Sequence, residues 1–114
     1  MNQVVSGAIA EALVRDVLHL PIHEGDTENG LLDGATFEIK SCRESYANGR
    51  TGQITWLPGQ LYLLKHRKGV LYLVVRSEGL SRIWILPAAW IPDQVQHTWT
   101  KLTKGMRCDR MVVE

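Results

Sequence analysis

Apolar and polar positions alternate along "ATFEIKSC": Thr36, Glu38 and Lys40 share one parity, and Phe37 and Ile39 the other. Period two predicts a strand with one face in the core. Before it, Ile9, Leu13 and Val17 recur every four residues, and Ala10 and Val14 widen the stripe. That spacing predicts a helix, with Ser6 as its cap and Pro21 as its end. Glu11 and Arg15 stand at i and i+4 and can pair on its surface. "HEGDTENG" is polar and glycine-containing, so it reads as a loop, and "RESYANGRTG" as another, with Asn48-Gly49 as its turn signal. "TWLPGQLYLLKHRKG" reads as a second helix, with Pro58 in its first turn and Gly69 as its stop. On it Leu57, Leu61 and Leu64 share a face, and Lys65, Arg67 and Lys68 gather at the C-terminal end, where cations suit the helix dipole. "VLYLVVR" is almost wholly apolar and predicts a strand buried on both faces at the centre of a sheet, with "SRIWILP" as its neighbour. Pro87 and Pro92 interrupt the next segment, leaving room for a short helix around Ala88–Trp90. The tail reads as loop plus an edge strand.

This order predicts an α/β fold with a mixed central sheet flanked by helices. The 114 residues suit one domain, and 45% hydrophobic with 22% charged residues is the composition of an ordinary globular chain. The formal net charge of +1 does not announce a nucleic-acid binder, although clustered Lys and Arg could form a patch that the total conceals. Cys42 and Cys108 are far apart and form no CxxC, which argues against a zinc site or a disulfide framework. The N-terminus lacks a signal-peptide pattern, and no apolar run approaches the ~18 residues of a membrane span. The expectation is a soluble, cytoplasmic protein with no membrane partner.

Candidate chemistry centres on Glu38 and Lys40. In a strand, residues two apart point the same way, about 6.6 Å between α-carbons. Such a pair is ordinarily a solvated strand face. Here Asp33 precedes it closely. A carboxylate pair can hold a hard cation such as Mg²⁺. A neighbouring lysine can orient or deprotonate an attacking water and offset charge developing on a phosphate. Metal plus lysine suffices for in-line hydrolysis of a phosphodiester.

"D-GATF-EIKS", with the helix before it and the helix and strands after it, resembles the PD-(D/E)xK nuclease superfamily, which includes restriction endonucleases and archaeal Holliday junction resolvases. The resemblance covers roughly residues 6–86. It implies a restriction endonuclease-like fold, with residues 1–114 as a single nuclease-like domain. It further implies a metal-dependent DNA endonuclease using Mg²⁺ (or Mn²⁺), with Asp33 and Glu38 as metal ligands and Lys40 as the catalytic lysine. Gln60, in the helix after the E-x-K strand, would position phosphate or lysine, and Glu11 in the first helix would be an auxiliary metal ligand. Gln60 also reads as a plain helix-surface amide, and Glu11 as a simple partner of Arg15.

The second carboxylate has alternatives. Asp-Gly is a two-residue hairpin signal. If Asp33-Gly34 is a tight turn, Asp33 lies roughly 15 Å from Glu38, and Asp26 or Glu28 is better placed. A bulged or wider bend brings Asp33 close, and bulges are frequent beside active sites.

The four histidines form no metal spacing; His23, in the polar loop, could assist but reads first as a surface residue. Most of Trp56, Trp84, Trp90 and Trp99 read as core or interface anchors. Arg43, Arg50, Lys65 and Arg67, with Lys68, are the candidate phosphate contacts. A catalytic core this small has little surface left to read sequence, so DNA cleavage would call for a homodimer. The competing readings are a non-catalytic nucleic-acid-binding or assembly module on the same fold, and a plain interaction domain.

Overall fold

Leu71 to Val75 are all buried, the consequence of a strand with apolar side chains on both parities and covered on both faces. In the computed structural model, which describes residues 12–18, 30–32 and 35–113, that strand occupies the middle of a five-stranded sheet. We label the helical residues 12–18 α1, Gly30–Leu32 β1, Ala35–Arg43 β2, Gln53–Thr55 β3 and Gln60–His66 α2. Val70–Ser77 is β4, Leu80–Pro87 β5, Gln96–Thr98 β6, Trp99–Leu102 α3 and Arg110–Val113 β7. A single 3₁₀ turn spans Ala88–Trp90, where the prolines left room for it.

The sheet order is β1-β2-β4-β5-β7, and β3 and β6 form a separate two-stranded ribbon. β2 and β4 are parallel, joined by a crossover containing α2, and the other pairings are antiparallel. The result is the α/β fold with a mixed sheet that the element order predicts. β7 is the edge strand read from the tail, whereas the β3–β6 ribbon and α3 had no counterpart in the sequence reading.

Two cores follow from the two parities. On one face Val14 of α1 packs with Phe37, Ile39, Tyr72, Val74 and Ile83, and Phe37 meets Tyr72 edge to face at 5.4 Å. On the other face Leu71, Leu73, Val75, Trp84 and Leu86 pack with Leu61 and Leu64 of α2 and with Ile54 and Trp56. Ser6 and Pro21, the predicted ends of the first helix, lie outside the described residues.

The second helix begins later than its sequence suggests. Gln60 N–H donates to the Leu57 carbonyl at 3.0 Å, and Gly59 has φ +78°, so Leu57–Gln60 is a turn with Pro58 at its second position. Pro58 therefore precedes the helix rather than opening it. Leu57 falls outside the helical face and is 62% exposed, because a residue before a turn does not keep the helix's period. At the other end the Gly69 N–H donates to the Leu64 carbonyl and the Lys68 N–H to the Lys65 carbonyl. This pair of bonds is the Schellman stop. The left-handed residue in it is Lys68, φ +55°, and not the glycine. Gly69 serves close approach instead: a Cβ there would stand 2.6 Å from the Thr36 carbonyl oxygen and run into Leu64 Cδ1.

Candidate active site

Glu38 and Lys40 lie on one face of β2 with Thr36, opposite Phe37 and Ile39. The parallel register pairs Glu38 with Leu71 and Lys40 with Leu73, whose side chains belong to the α2-side core. The E-x-K face is therefore not a wet strand face. Thr36 is buried, Glu38 is only 4% exposed and Lys40 is partly buried. Burying charged groups costs free energy unless they are paired, so a plain solvated surface does not account for this placement.

Lys40 Nζ sits 5.4 Å from the centre of the Trp56 ring. The Trp56 indole N–H donates to Nδ1 of His97 at 3.1 Å, and Nε2 of His97 lies 2.8 Å from the Pro92 carbonyl oxygen. Since Nδ1 accepts, Nε2 carries the proton and donates to Pro92. Both Trp56 and His97 are buried. This support was not among the candidates read from the sequence. Its signal was the alternation of Gln53, Ile54, Thr55 and Trp56, exposed and buried in turn, and the matching alternation of Gln96, His97 and Thr98.

Gln60 is the first residue of α2 and is 4% exposed, so it is not a helix-surface amide. Its Oε1 accepts the Leu57 N–H at 3.2 Å, which ties the amide into the turn that starts the helix. α2 buries Gln60 together with Leu61 and Leu64 of the core that flanks the E-x-K residues.

Asp33, Glu11, Asp26, Glu28 and His23 lie outside the described residues. The described pairing of β1 with β2 brings Leu32 opposite Ala35, the register of a hairpin with two connecting residues. Glu38 lies three residues beyond Ala35, about 10 Å by strand rise. Among the described residues no three His, Cys, Asp or Glu side chains stand together as a metal site. Glu38 is an oxygen donor of the kind Mg²⁺ takes. The described part of the chain thus fits one carboxylate of the two-carboxylate set.

The candidate phosphate contacts do not converge. Arg43 ends β2 and Arg50 follows in the exposed loop, where Ser45 bridges to Thr51 and Arg50 N–H donates to Asn48 Oδ1 at 3.0 Å. Arg67 caps α2 and leads to Val70, which pairs with Phe37 at the opposite end of β2. Six residues of strand, about 20 Å, separate Phe37 from Arg43. Lys65 pairs with Asp93 at 2.8 Å.

The tryptophans divide. Trp56 and Trp84 are core, Trp99 packs against that core and Trp90 is 68% exposed. Arg82 lies over the rings of Trp84 and Trp99 at 6.0 and 5.5 Å and pairs with Glu44 at 3.1 Å. Cys42, next on the E-x-K face, is a free thiol whose pKa burial raises from 9.0 to about 12. It is not a nucleophile at neutral pH. No helix among the described residues is long and apolar enough to cross a membrane.

No protein-family model, curated protein or solved structure matches this chain.

Proposed function

We propose that this chain is a metal-dependent DNA endonuclease of the restriction endonuclease-like class, hydrolysing phosphodiester bonds with Glu38 and Lys40 at its centre. The observation that carries the reading is the burial of Glu38, with Lys40 partly buried beside it, on the strand face where the helix that carries Gln60 packs. A buried acid and a buried amide beside a half-buried base form the kind of low-dielectric cluster that chemistry uses.

In this reading Glu38 supplies one carboxylate to Mg²⁺ or Mn²⁺, which when bound would contribute Lewis-acid polarisation of the phosphate and a more acidic water. Lys40 orients that water and offsets charge on the phosphoryl oxygens. Gln60 holds the phosphate or the lysine by its amide. The second carboxylate comes from Asp33, Asp26 or Glu28, with Glu11 as an auxiliary ligand. Arg43, Arg50, Lys65 and Arg67 contact the DNA backbone, and a homodimer presents two centres to the two strands.

The test is a panel of linear, supercoiled and four-way-junction DNA with Mg²⁺, cut by wild type and by Asp26→Asn, Glu28→Gln and Asp33→Asn. Cleavage by wild type, with loss in one of the three carboxylate variants, supports the reading and identifies the second ligand. No cleavage of any substrate by wild type rejects it.

The 4% exposure of Glu38 favours one second reading, a non-catalytic nucleic-acid-binding module on the same fold. It predicts DNA binding that weakens steeply with salt, without turnover.

A further inference from the structure

We infer that Trp56, held by His97, is the positioning residue for the Lys40 ammonium. The inference rests on the nuclease reading of Lys40 and extends it to two residues that no motif includes. A lysine side chain has four rotatable bonds and a strongly hydrated head, so it does not hold one position unaided. Here the Trp56 ring lies 5.4 Å from Nζ, within the range at which an ammonium is attracted to an indole face. Trp56 is itself fixed twice by one segment, once through its main chain and once through its ring. Its backbone N–H donates to the Val95 carbonyl at 2.8 Å, and its indole N–H donates to His97 Nδ1 at 3.1 Å. His97 is fixed in turn by the Pro92 carbonyl, 2.8 Å from Nε2. The chain Pro92–His97–Trp56–Lys40 therefore connects the ribbon-side loop to the centre of β2.

The β3–β6 ribbon is held on this sheet face by Ile54, and Trp56 just beyond it, in the core beneath. Ile54 pairs with His97 across the ribbon, and Trp56 follows β3 directly. The ribbon carries the platform for the lysine. Glu38, two residues away on the same strand face, is the other charged group of the motif there. The role assigned to Trp56 is to hold Lys40 in a fixed place beside it.

The test joins NMR of ε-¹³C-lysine-labelled protein with kinetics. The Lys40 signal is assigned by its loss in Lys40→Arg. In wild type its ε-protons carry a ring-current shift, which Trp56→Leu abolishes and Trp56→Phe retains in part. In cleavage assays Trp56→Leu and His97→Leu lower kcat by roughly tenfold to hundredfold, as for a displaced catalytic group, with KM within about threefold. His97→Asn places an amide oxygen where Nδ1 stood and restores both the shift and kcat. A folded Trp56→Leu variant with an unchanged Lys40 signal overturns the inference. So does an unchanged kcat in an enzyme that is active as wild type. A wild type inactive on all DNA substrates overturns the nuclease reading and this role with it. The ring-current shift persisting in that inactive protein would mark the contact as structural.

Discussion

Three residues of one strand face, Thr36, Glu38 and Lys40, show how far a side chain's letter constrains its environment. Their alternation with Phe37 and Ile39 was legible in the sequence, because period two is a property of the strand itself. Their burial was not, because it depends on a crossover helix and a ribbon that arrive from elsewhere in the chain. Thr36 illustrates the cost: among the described residues its buried Oγ1 has no hydrogen-bond partner. Thr36→Val keeps the shape and removes the stranded hydroxyl, so it is expected to raise stability by about 1 kcal/mol, read from chemical denaturation. A loss of stability of that size would mean that the hydroxyl is satisfied. Cys42 gives a pH prediction. Its folded pKa is raised by burial from 9.0 to about 12, so the unfolded chain releases the thiol proton first as pH rises. The stability that comes from burying the neutral thiol is complete below pH 9 and declines between about 9 and 12. Burial raises the Tyr72 hydroxyl as well, which adds to the alkaline loss in the same direction. At pH 8 the half-buried Cys42 thiol, held protonated, should react with a thiol reagent more slowly than the unfolded chain does; equal rates in the folded and unfolded protein would contradict the raised pKa.

At the scale of elements, α2 was readable in its middle and less so at its ends. Leu61 and Leu64 mark its buried side, but Pro58 and Leu57 belong to the turn ahead of it, since Gly59 in a left-handed conformation directs the chain into a type II turn before the first helical residue. At the C-terminus the glycine suggested the left-handed stop, whereas the structure gives that conformation to Lys68 and uses Gly69 for contact with Thr36 and Leu64. These two positions respond oppositely to substitution. Lys68→Gly relieves a left-handed non-glycine residue and is expected to stabilise by roughly 1 kcal/mol. Gly69→Ala drives a methyl into backbone and a core leucine and is expected to destabilise by about 2 kcal/mol or more. Thermal midpoints of the two variants, one above and one below wild type, check both. The ribbon of β3 and β6 carries only a brief alternation of polar and apolar residues as its local signature. Three-residue strands are too short for periodicity to identify, and their pairing is fixed by contacts over forty positions apart in sequence, such as Trp56 with His97.

The described residues build a five-stranded mixed sheet with different coverings on its two faces: α1 on one, and α2 with the two-stranded ribbon on the other. The apolar run of β4 announced the sheet's centre, and the order of elements announced the α/β class. What the sequence could not supply was which carboxylates meet, because Asp33, Asp26 and Glu28 differ by only a few residues and a hairpin's register decides among them. The basic residues were legible as candidates but not as a surface: Arg43 and Arg50 stand at one end of β2 and Arg67 at the other. In the nuclease reading these are two separate contacts with DNA, one at each end of the strand. Arg50→Ala and Arg67→Ala should each weaken DNA binding across all sequences and lower the salt slope by about 1, with additive losses. Whether Glu38 and Lys40 perform phosphodiester hydrolysis is decided by nicking of supercoiled plasmid. Wild type should nick it in Mg²⁺ and leave it intact once the metal is chelated, and Glu38→Gln and Lys40→Ala should each lose roughly a hundredfold or more. Equal nicking by wild type and both variants, or none by wild type with Mg²⁺ or Mn²⁺, would overturn the nuclease reading.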